Sequence, residues 1–167
     1  AIFGDTFLDQ YAQRLAHYVS EKAGGHHTTG ILGTRYLLGQ LSRFGHGDVA
    51  VGILLKEDYP SIGHLFNLGA TTLWEHWGEQ SEPGVLMPED GRNQAMRASF
   101  DTWFFDSLCG IQPDPAHPGF KHFFVRPSFA GNLSHASAEY ESIHGLIRSS
   151  WRRDAAGASC HVIVPAN

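Results

Sequence analysis

The segment LGATTLWEHW, residues 68–77, places the carboxylate of Glu75 between the indole rings of Trp74 and Trp77. In sugar-binding sites aromatic rings cover the apolar face of a pyranose, and a carboxylate performs the proton chemistry. The same residues also have a simpler interpretation, because Thr72 and Glu75 have the spacing of a helix capping box. Spacing alone favours the cap, so a chemical role for Glu75 requires support from the rest of the chain.

Length and composition describe an ordinary globular protein. The chain has 167 residues, enough for one domain or one and a half, and 42% of them are hydrophobic while 17% are charged. The net charge is −5, and the 12 Lys and Arg residues are scattered along the sequence rather than clustered. We therefore expect neither nucleic acid nor an anionic membrane as partner. No apolar run approaches the about 20 residues of a membrane span. No leader opens the chain, and the compartment is left open.

The cysteines and histidines do not predict a metal site or a cofactor. Cys109 and Cys160 match no metal or redox spacing. Cys109 falls in a helical apolar pattern and is expected to be a small core residue, and nothing in the sequence requires a disulfide between the two. His26 and His27 are adjacent, but no third ligand stands at a suitable distance along the chain. A loop position lining a pocket is the favoured interpretation of both histidines.

Apolar periodicity predicts helices through the first two thirds of the chain. The first spans the apolar positions from Leu8 to Val19 and ends at the pair Gly24-Gly25. Two more, over about 32–44 and 47–56, form a helical hairpin. A last helix is expected over about 95–109, after a polar surface loop at 78–91. The inward-facing residues of these three helices are predicted to be Tyr36, Leu37, Leu41 and Phe44; Val49, Ala50, Ile53 and Leu54; and Phe100, Trp103, Phe104 and Leu108.

Beyond a stiff Pro- and Gly-rich segment at 113–119, the period changes from about 3.6 to 2, which indicates strands. Four strands are predicted, over residues 121–126, 135–141, 146–153 and 159–164. The third strand places Ile147, Ser149 and Trp151 on one face. Four antiparallel strands are typical of part of a β-sandwich. The segment 113–119 is therefore the expected domain boundary.

Five motifs in the chain resemble, in order and approximate spacing, those of the bacterial α-L-rhamnosidases of glycoside hydrolase family 78. The motifs are HTTGILGTRYLL (27–38), YPS (59–61), GATTLWEHW (69–77), SFDTWFF (99–105, with Leu108 and Gly110-Ile111) and DPAHPGFKH (114–122). The resemblance covers nearly the whole chain, but it corresponds only to the C-terminal portion of such an enzyme.

The resemblance implies an α+β architecture. Residues 1–112 would be the C-terminal helices of a six-hairpin α/α-barrel catalytic domain, and 120–167 a partial antiparallel β-sandwich after the linker 113–119. About half of a barrel cannot cover its own inner faces, so we expect the remainder of the catalytic domain as a partner. A small helical domain that only shares the motifs is the alternative.

The implied activity is inverting hydrolysis of terminal α-L-rhamnosyl or related bonds, with Glu75 in the place of the general base and the partner acid outside these 167 residues. The substrate-binding residues expected on this resemblance are Trp74, Trp77, His27, His64, Asn93 and Gln94. Two positions depart from the family pattern: Ile62 stands where a tryptophan is usual, and Gln94 where a histidine is usual. The competing hypothesis is a non-catalytic carbohydrate-binding or structural protein that keeps the scaffold. A metal-dependent hydrolase rests only on the histidine count.

Overall fold

The computed structural model describes residues 5–77 and 91–166. The chain divides into two compact units, residues 1–100 and 101–167, which we call the helical unit and the sheet unit. The predicted α+β class is confirmed. In the part of the chain that is described, no helix combines the length and the apolar composition needed to cross a bilayer.

The helical unit is built around α2. Its described elements are α1 (Asp5–His17, continued by a π-helical turn, Tyr18–Lys22), α2 (Ile31–Arg43), α3 (Gly47–Leu54), α4 (Ile62–Asn67) and α5 (Ala95–Ala98). Helix α2 packs against α1, α3 and α5. The first helix ends where predicted, because Gly24 and Gly25 adopt φ values of 61° and 79°, which disfavour other residues. The buried apolar side chains of this unit are Ala12, Ala16, Val19, Leu37, Leu38, Leu41, Ala50, Val51, Ile53, Ile62, Leu65, Trp74 and Phe100.

The predicted hairpin of α2 and α3 is present, but its buried faces differ from the predicted ones. Tyr36 is 61% exposed, and Leu38 is buried instead. In α3, Ala50 and Ile53 are buried as predicted and Val51 is buried as well, whereas Val49 and Leu54 are half-exposed. The two helices are only 13 and 8 residues long, so a shift of one residue rotates the inward stripe by about 100°.

Helix α4 was not predicted, and the interpretation of Thr72 and Glu75 as a capping box is wrong. Ser61 caps α4 by accepting a hydrogen bond from the backbone N–H of His64 at 2.9 Å. No helix follows Thr72; residues 71–77 form bends and irregular backbone. The Thr72 hydroxyl donates instead to the carbonyl of Arg92, twenty residues away along the chain.

The last predicted helix is helical but not uniformly α. Helix α5 passes into a 3-10 turn, Ser99–Asp101, and then a π-helical turn, Phe104–Leu108. Phe100, Trp103 and Leu108 are buried as predicted, and Phe104 is half-buried. The changing helical pitch explains why a single 3.6-residue stripe does not fit all four positions.

The sheet unit contains two antiparallel sheets. The first pairs β1 (Ile111–Pro113), which was not predicted, with β2 (Phe123–Val125). The second has the order β3–β4–β5, with β3 (His135–Ser142), β4 (Gly145–Asp154) and β5 (Gly157–Ile163). The segment 113–119, expected as a linker, begins at the end of β1 and leads towards its partner strand β2.

One face of β4 anchors the sheet unit. Ile147, Ser149 and Trp151 are completely or almost completely buried, as the alternation predicts. The Trp151 indole N–H donates to the carbonyl of Leu108 at 2.9 Å, and the Ser149 hydroxyl to that of Cys109 at 2.6 Å. These two bonds satisfy carbonyls at the end of the π-helical turn, which have no partner within the helix. Both cysteines are free thiols.

We expect Ser149→Ala to destabilise the protein more than Ser150→Ala does. The first change leaves the buried carbonyl of Cys109 without a donor, which costs about 1–3 kcal/mol. The second removes a longer 3.3 Å bond from Ser150, a half-exposed neighbour on the other face of β4. Urea unfolding measures both variants. Equal losses of unfolding free energy would contradict this account of the buried bond.

Candidate active site

A cavity of about 670 Å³ lies within the helical unit. Its walls come from the end of the first helix and the loop after it, from the Tyr59-Pro60 turn, from the segment that follows α4, and from α5. The lining residues are Tyr18, Ala23, His26 to Ile31, Tyr59, Pro60, Glu75, His76, Trp77 and Arg97. Three predicted site residues, Glu75, Trp77 and His27, are therefore brought together in one cavity.

Backbone pairing fixes the position of Glu75. Its N–H donates to the carbonyl of Gly91 at 2.8 Å, and the N–H of Gln94 donates to the carbonyl of Leu73 at 2.8 Å. The carboxylate lies against Gly91, where an added Cβ would come within 3.1 Å of the Glu75 Oε2 atom. The two segments therefore run side by side, and a glycine leaves the space that the Glu75 side chain occupies.

Arg97 ties the same segment to α5. The side chain is 2% exposed, and its Nε donates to the carbonyl of Trp74 at 3.1 Å while Nη2 donates to the carbonyl of Glu75. The guanidinium carbon lies 3.9 Å from the centroid of the Trp77 ring, a cation–π contact. Arg97 thus binds two consecutive carbonyls of the loop that carries Glu75.

Sequence reasoning missed Arg97, although a signal was present. Arg97 lies three residues before Phe100, on the face of the last helix predicted to point inward. A charged residue on a buried face is uncommon unless it is paired. An arginine at this position therefore indicates that the surrounding residues provide hydrogen-bond acceptors or an opposite charge for its guanidinium.

The charge of Arg97 is buried but compensated. Burial lowers the pKa of Arg97 from its ordinary value, and the nearby carboxylate of Glu75 opposes that shift. The Nη1 atom is buried and has no hydrogen-bond partner in the described part of the chain. The guanidinium therefore keeps one donor that the described residues do not satisfy.

His27 is the second buried polar group of the cavity. It is 2% exposed, its Nδ1 lies 3.2 Å from the Thr29 hydroxyl, and its ring centroid is 5.2 Å from that of Trp77. Burial, and then the positive charge of Arg97, lower the pKa of His27 to about 4, against a smaller raising effect from Thr29. His27 is therefore neutral near pH 7. Its Nε2 is buried and has no partner among the described residues.

The other four predicted contact residues do not line the cavity. Trp74 is buried, and the guanidinium of Arg92 lies 5.6 Å from its ring. His64 is half-buried beside Tyr59, with ring centroids 5.5 Å apart. Asn93 is exposed and Gln94 half-exposed, at the start of α5. Their roles in substrate binding stay predictions.

The described chain thus combines a helical unit and a sheet unit, and one cavity of the helical unit brings together a carboxylate, an indole and a guanidinium. Residues 5–108 match the bacterial alpha-L-rhamnosidase 6 hairpin glycosidase domain, and residues 110–167 match the bacterial alpha-L-rhamnosidase C-terminal domain. The chain belongs to the bacterial α-L-rhamnosidase family. The predicted architecture, the last helices of a six-hairpin barrel plus a C-terminal β domain, is confirmed.

Two curated relatives give the extent of the similarity. The chain is 34% identical over 165 residues to an α-L-rhamnosidase of Streptomyces avermitilis, covering 98% of this chain and 16% of the relative. It is 32% identical over 162 residues to an α-L-rhamnosidase of Formosa agariphila, covering 96% of this chain and 17% of the relative. The chain thus spans about a sixth of the length of these relatives.

Solved structures agree with this assignment. The Streptomyces avermitilis α-L-rhamnosidase complexed with L-rhamnose superposes with a TM-score of 0.85 at 32% identity, covering 97% of this chain and 16% of that one. The native enzyme of Aspergillus terreus has a TM-score of 0.86 at 24% identity, covering 97% of this chain and 19% of that one. The second similarity supports the fold alone.

We expect the burial of His27 to make stability depend on pH. The unfolded chain takes up a proton near the ordinary histidine pKa of about 6.5, whereas folded His27 does so only near 4. Between these values the unfolded state binds more protons, so the free energy of unfolding falls as the pH is lowered from 6.5 towards 4. The full shift corresponds to about 3 kcal/mol.

Urea unfolding of the wild type and of His27→Asn is measured at several pH values. The difference between the two separates the contribution of His27 to the pH dependence of stability from that of the carboxylates. The wild type is expected to lose more stability than the variant between pH 7 and 4.5. His144→Asn, a change at an exposed histidine, is expected to follow the wild type. Parallel curves for wild type and His27→Asn would mean that His27 is not buried as a neutral ring.

Proposed function

We propose that this chain is the C-terminal part of an inverting α-L-rhamnosidase and that Glu75 is its general base. The observation that carries the proposal is the fixed backbone of the segment that places Glu75 on the cavity wall. Gly91 and Gln94 pair with its segment on one side, and Arg97 binds two of its carbonyls. A base that activates water must be held in place, since misplacement by 1 Å can cost about a hundredfold in rate.

The cavity is consistent with a catalytic pair of which only one member is present. Inverting glycosidases use two carboxyl groups about 6.5–9.5 Å apart, with room for water between them. Among the described residues that line the cavity, Glu75 is the single acidic side chain. We place the proton donor to the leaving group in a part of the enzyme outside these 167 residues, as the resemblance to the family implies.

Exposed apolar side chains support the remainder of the barrel as a partner. In the described part of the helical unit, seven large apolar residues are more than half exposed: Phe7, Tyr11, Tyr18, Leu32, Tyr36, Leu55 and Phe66. Apolar surface of this extent is typical of an interaction surface rather than of a solvated face. Further hairpins of the same barrel are the occupants we propose, because the matched relatives are about six times longer than this chain.

Three cavity residues would contact the sugar. Trp77 offers an aromatic face, although Arg97 already covers part of that ring. The Nε2 of His27 and the Nη1 of Arg97 are buried and have no partner in the described residues. On this proposal, side-chain movement on binding turns both atoms towards hydroxyls of the sugar. A terminal α-L-rhamnoside is the substrate class we propose, since the similar Streptomyces enzyme was solved with L-rhamnose. Contacts from Trp74, His64, Asn93 and Gln94 remain part of the proposal.

These 167 residues alone are expected not to hydrolyse an aryl α-L-rhamnoside, because the proton donor is missing. Release of the aryl group by the purified chain is measured beside a Glu75→Ala control. Turnover by the chain that the control lacks would refute the assignment of the acid to another part of the enzyme.

In the full-length enzyme, Glu75→Gln is expected to remove most turnover while sugar affinity is largely kept. General base catalysis contributes about 10²–10⁴-fold, and the amide conserves shape but cannot accept the water proton. Glu57→Gln, at an exposed position that does not line the cavity, serves as the matched control. Rates and thermal unfolding are measured together.

Unchanged turnover per folded molecule in Glu75→Gln would contradict the role as base. A carbohydrate-binding protein without catalysis would instead bind L-rhamnose and show no turnover even as the wild-type full-length protein.

A further inference from the structure

Three potential metal ligands converge in the connection between β1 and β2. One ligand atom from each of Asp114, His117 and His122 can be chosen so that all three lie within 4.8 Å of one another. The contact between Asp114 Oδ2 and His117 Nδ1 is 2.8 Å, and the ring centroids of His117 and His122 are 4.5 Å apart. The three residues lie in the DPAHPGFKH motif, which the proposed catalytic role does not use.

The loop backbone brings these side chains together. The N–H of Asp114 donates to the carbonyl of His122 at 3.3 Å, which closes the loop at its two ends. Inside the loop, the N–H of His117 donates to the carbonyl of Asp114 at 3.0 Å, and the N–H of Ala116 donates to the Asp114 Oδ1 at 2.9 Å. Because β1 and β2 pair on either side of it, the loop is fixed before any ligand arrives.

We propose that Asp114, His117 and His122 form a binding site for a divalent transition metal such as Zn²⁺. Two imidazoles and one carboxylate suit zinc and its first-row neighbours, whereas Ca²⁺ and Mg²⁺ prefer oxygen ligands alone. The remaining coordination positions would be filled by water. The site holds the two ends of the loop together.

The distances allow coordination after a small movement. Metal–ligand bonds of about 2.0–2.2 Å place neighbouring ligand atoms about 3–3.5 Å apart. The Asp114–His117 pair is already close to that separation. His117 and His122 are exposed, so a change of rotamer can bring the His122 ring nearer without disturbing a packed core.

The carboxylate is ready to act as a ligand. The hydrogen bond from His117 holds the pKa of Asp114 below its ordinary range, so the group is ionised at neutral pH. Metal binding would replace that hydrogen bond and release a proton from the cluster.

Zinc titration of the purified protein by isothermal calorimetry tests the proposal. One saturable site per chain is expected, with binding weakened by more than about tenfold in His117→Ala and in His122→Ala, a loss found even for outer-shell partners. His144→Ala and His161→Ala remove exposed histidines from the same unit outside the cluster and are expected to keep the site. Zinc should also raise the melting temperature of the wild type but not of His122→Ala.

Calcium and magnesium are expected to produce no saturable heat. The absence of a one-to-one zinc site in the wild type would overturn the proposal. Equal weakening in the cluster variants and in the control variants would do so too, because it would indicate scattered binding to surface histidines. Circular dichroism of each variant establishes that it is folded, and Asp114→Asn gives an independent test of the third ligand.

Discussion

The burial of the Arg97 guanidinium is the constraint on which the helical unit and its cavity depend. A charged side chain in the interior is stabilised only if its N–H groups have hydrogen-bond acceptors and an opposite charge lies nearby. Here the carbonyls of Trp74 and Glu75 accept, the ring of Trp77 lies against the guanidinium, and the Glu75 carboxylate supplies opposite charge. The loop must therefore adopt the one path that presents these groups to α5.

Several features of the site follow from that path. The loop is not helical, because the carbonyls of Trp74 and Glu75 accept from Arg97. The N–H of Glu75 donates to the segment at 91–94, and the carbonyl of Leu73 accepts from that segment. His27 is kept neutral by burial and by the same positive charge. One cation thus holds the backbone of the loop that carries Glu75, contacts the Trp77 ring and adds to the effect of burial on His27.

Local patterns in the sequence predicted the regular elements well. Helical periodicity and the Gly24-Gly25 pair gave α1, and alternation placed Ile147, Ser149 and Trp151 on the buried face of the sheet. The short elements α4 and β1, of six and three residues, were not predicted. Such elements contain too few residues for a period to be recognised.

The candidate site could be predicted only in part. Glu75, Trp77 and His27 were found from motifs, but the geometry that holds them comes from contacts between residues about twenty positions apart. The capping-box interpretation failed for the same reason, because the Thr72 hydroxyl bonds to Arg92 rather than to a nearby amide. Hydrogen bonds between residues so far apart in the chain produce no periodic pattern in the local sequence. The inward position of Arg97 was the available clue.

A double-mutant cycle on kcat in the full-length enzyme tests most directly whether Arg97 acts by positioning Glu75. Arg97→Lys keeps the charge but loses the paired donors and the flat stacking surface. We expect it to lower kcat by about ten- to a hundredfold when Glu75 is present, and to change kcat little in the Glu75→Gln background. The same factor of loss in both backgrounds would contradict the account, because it would mean that Arg97 acts independently of Glu75.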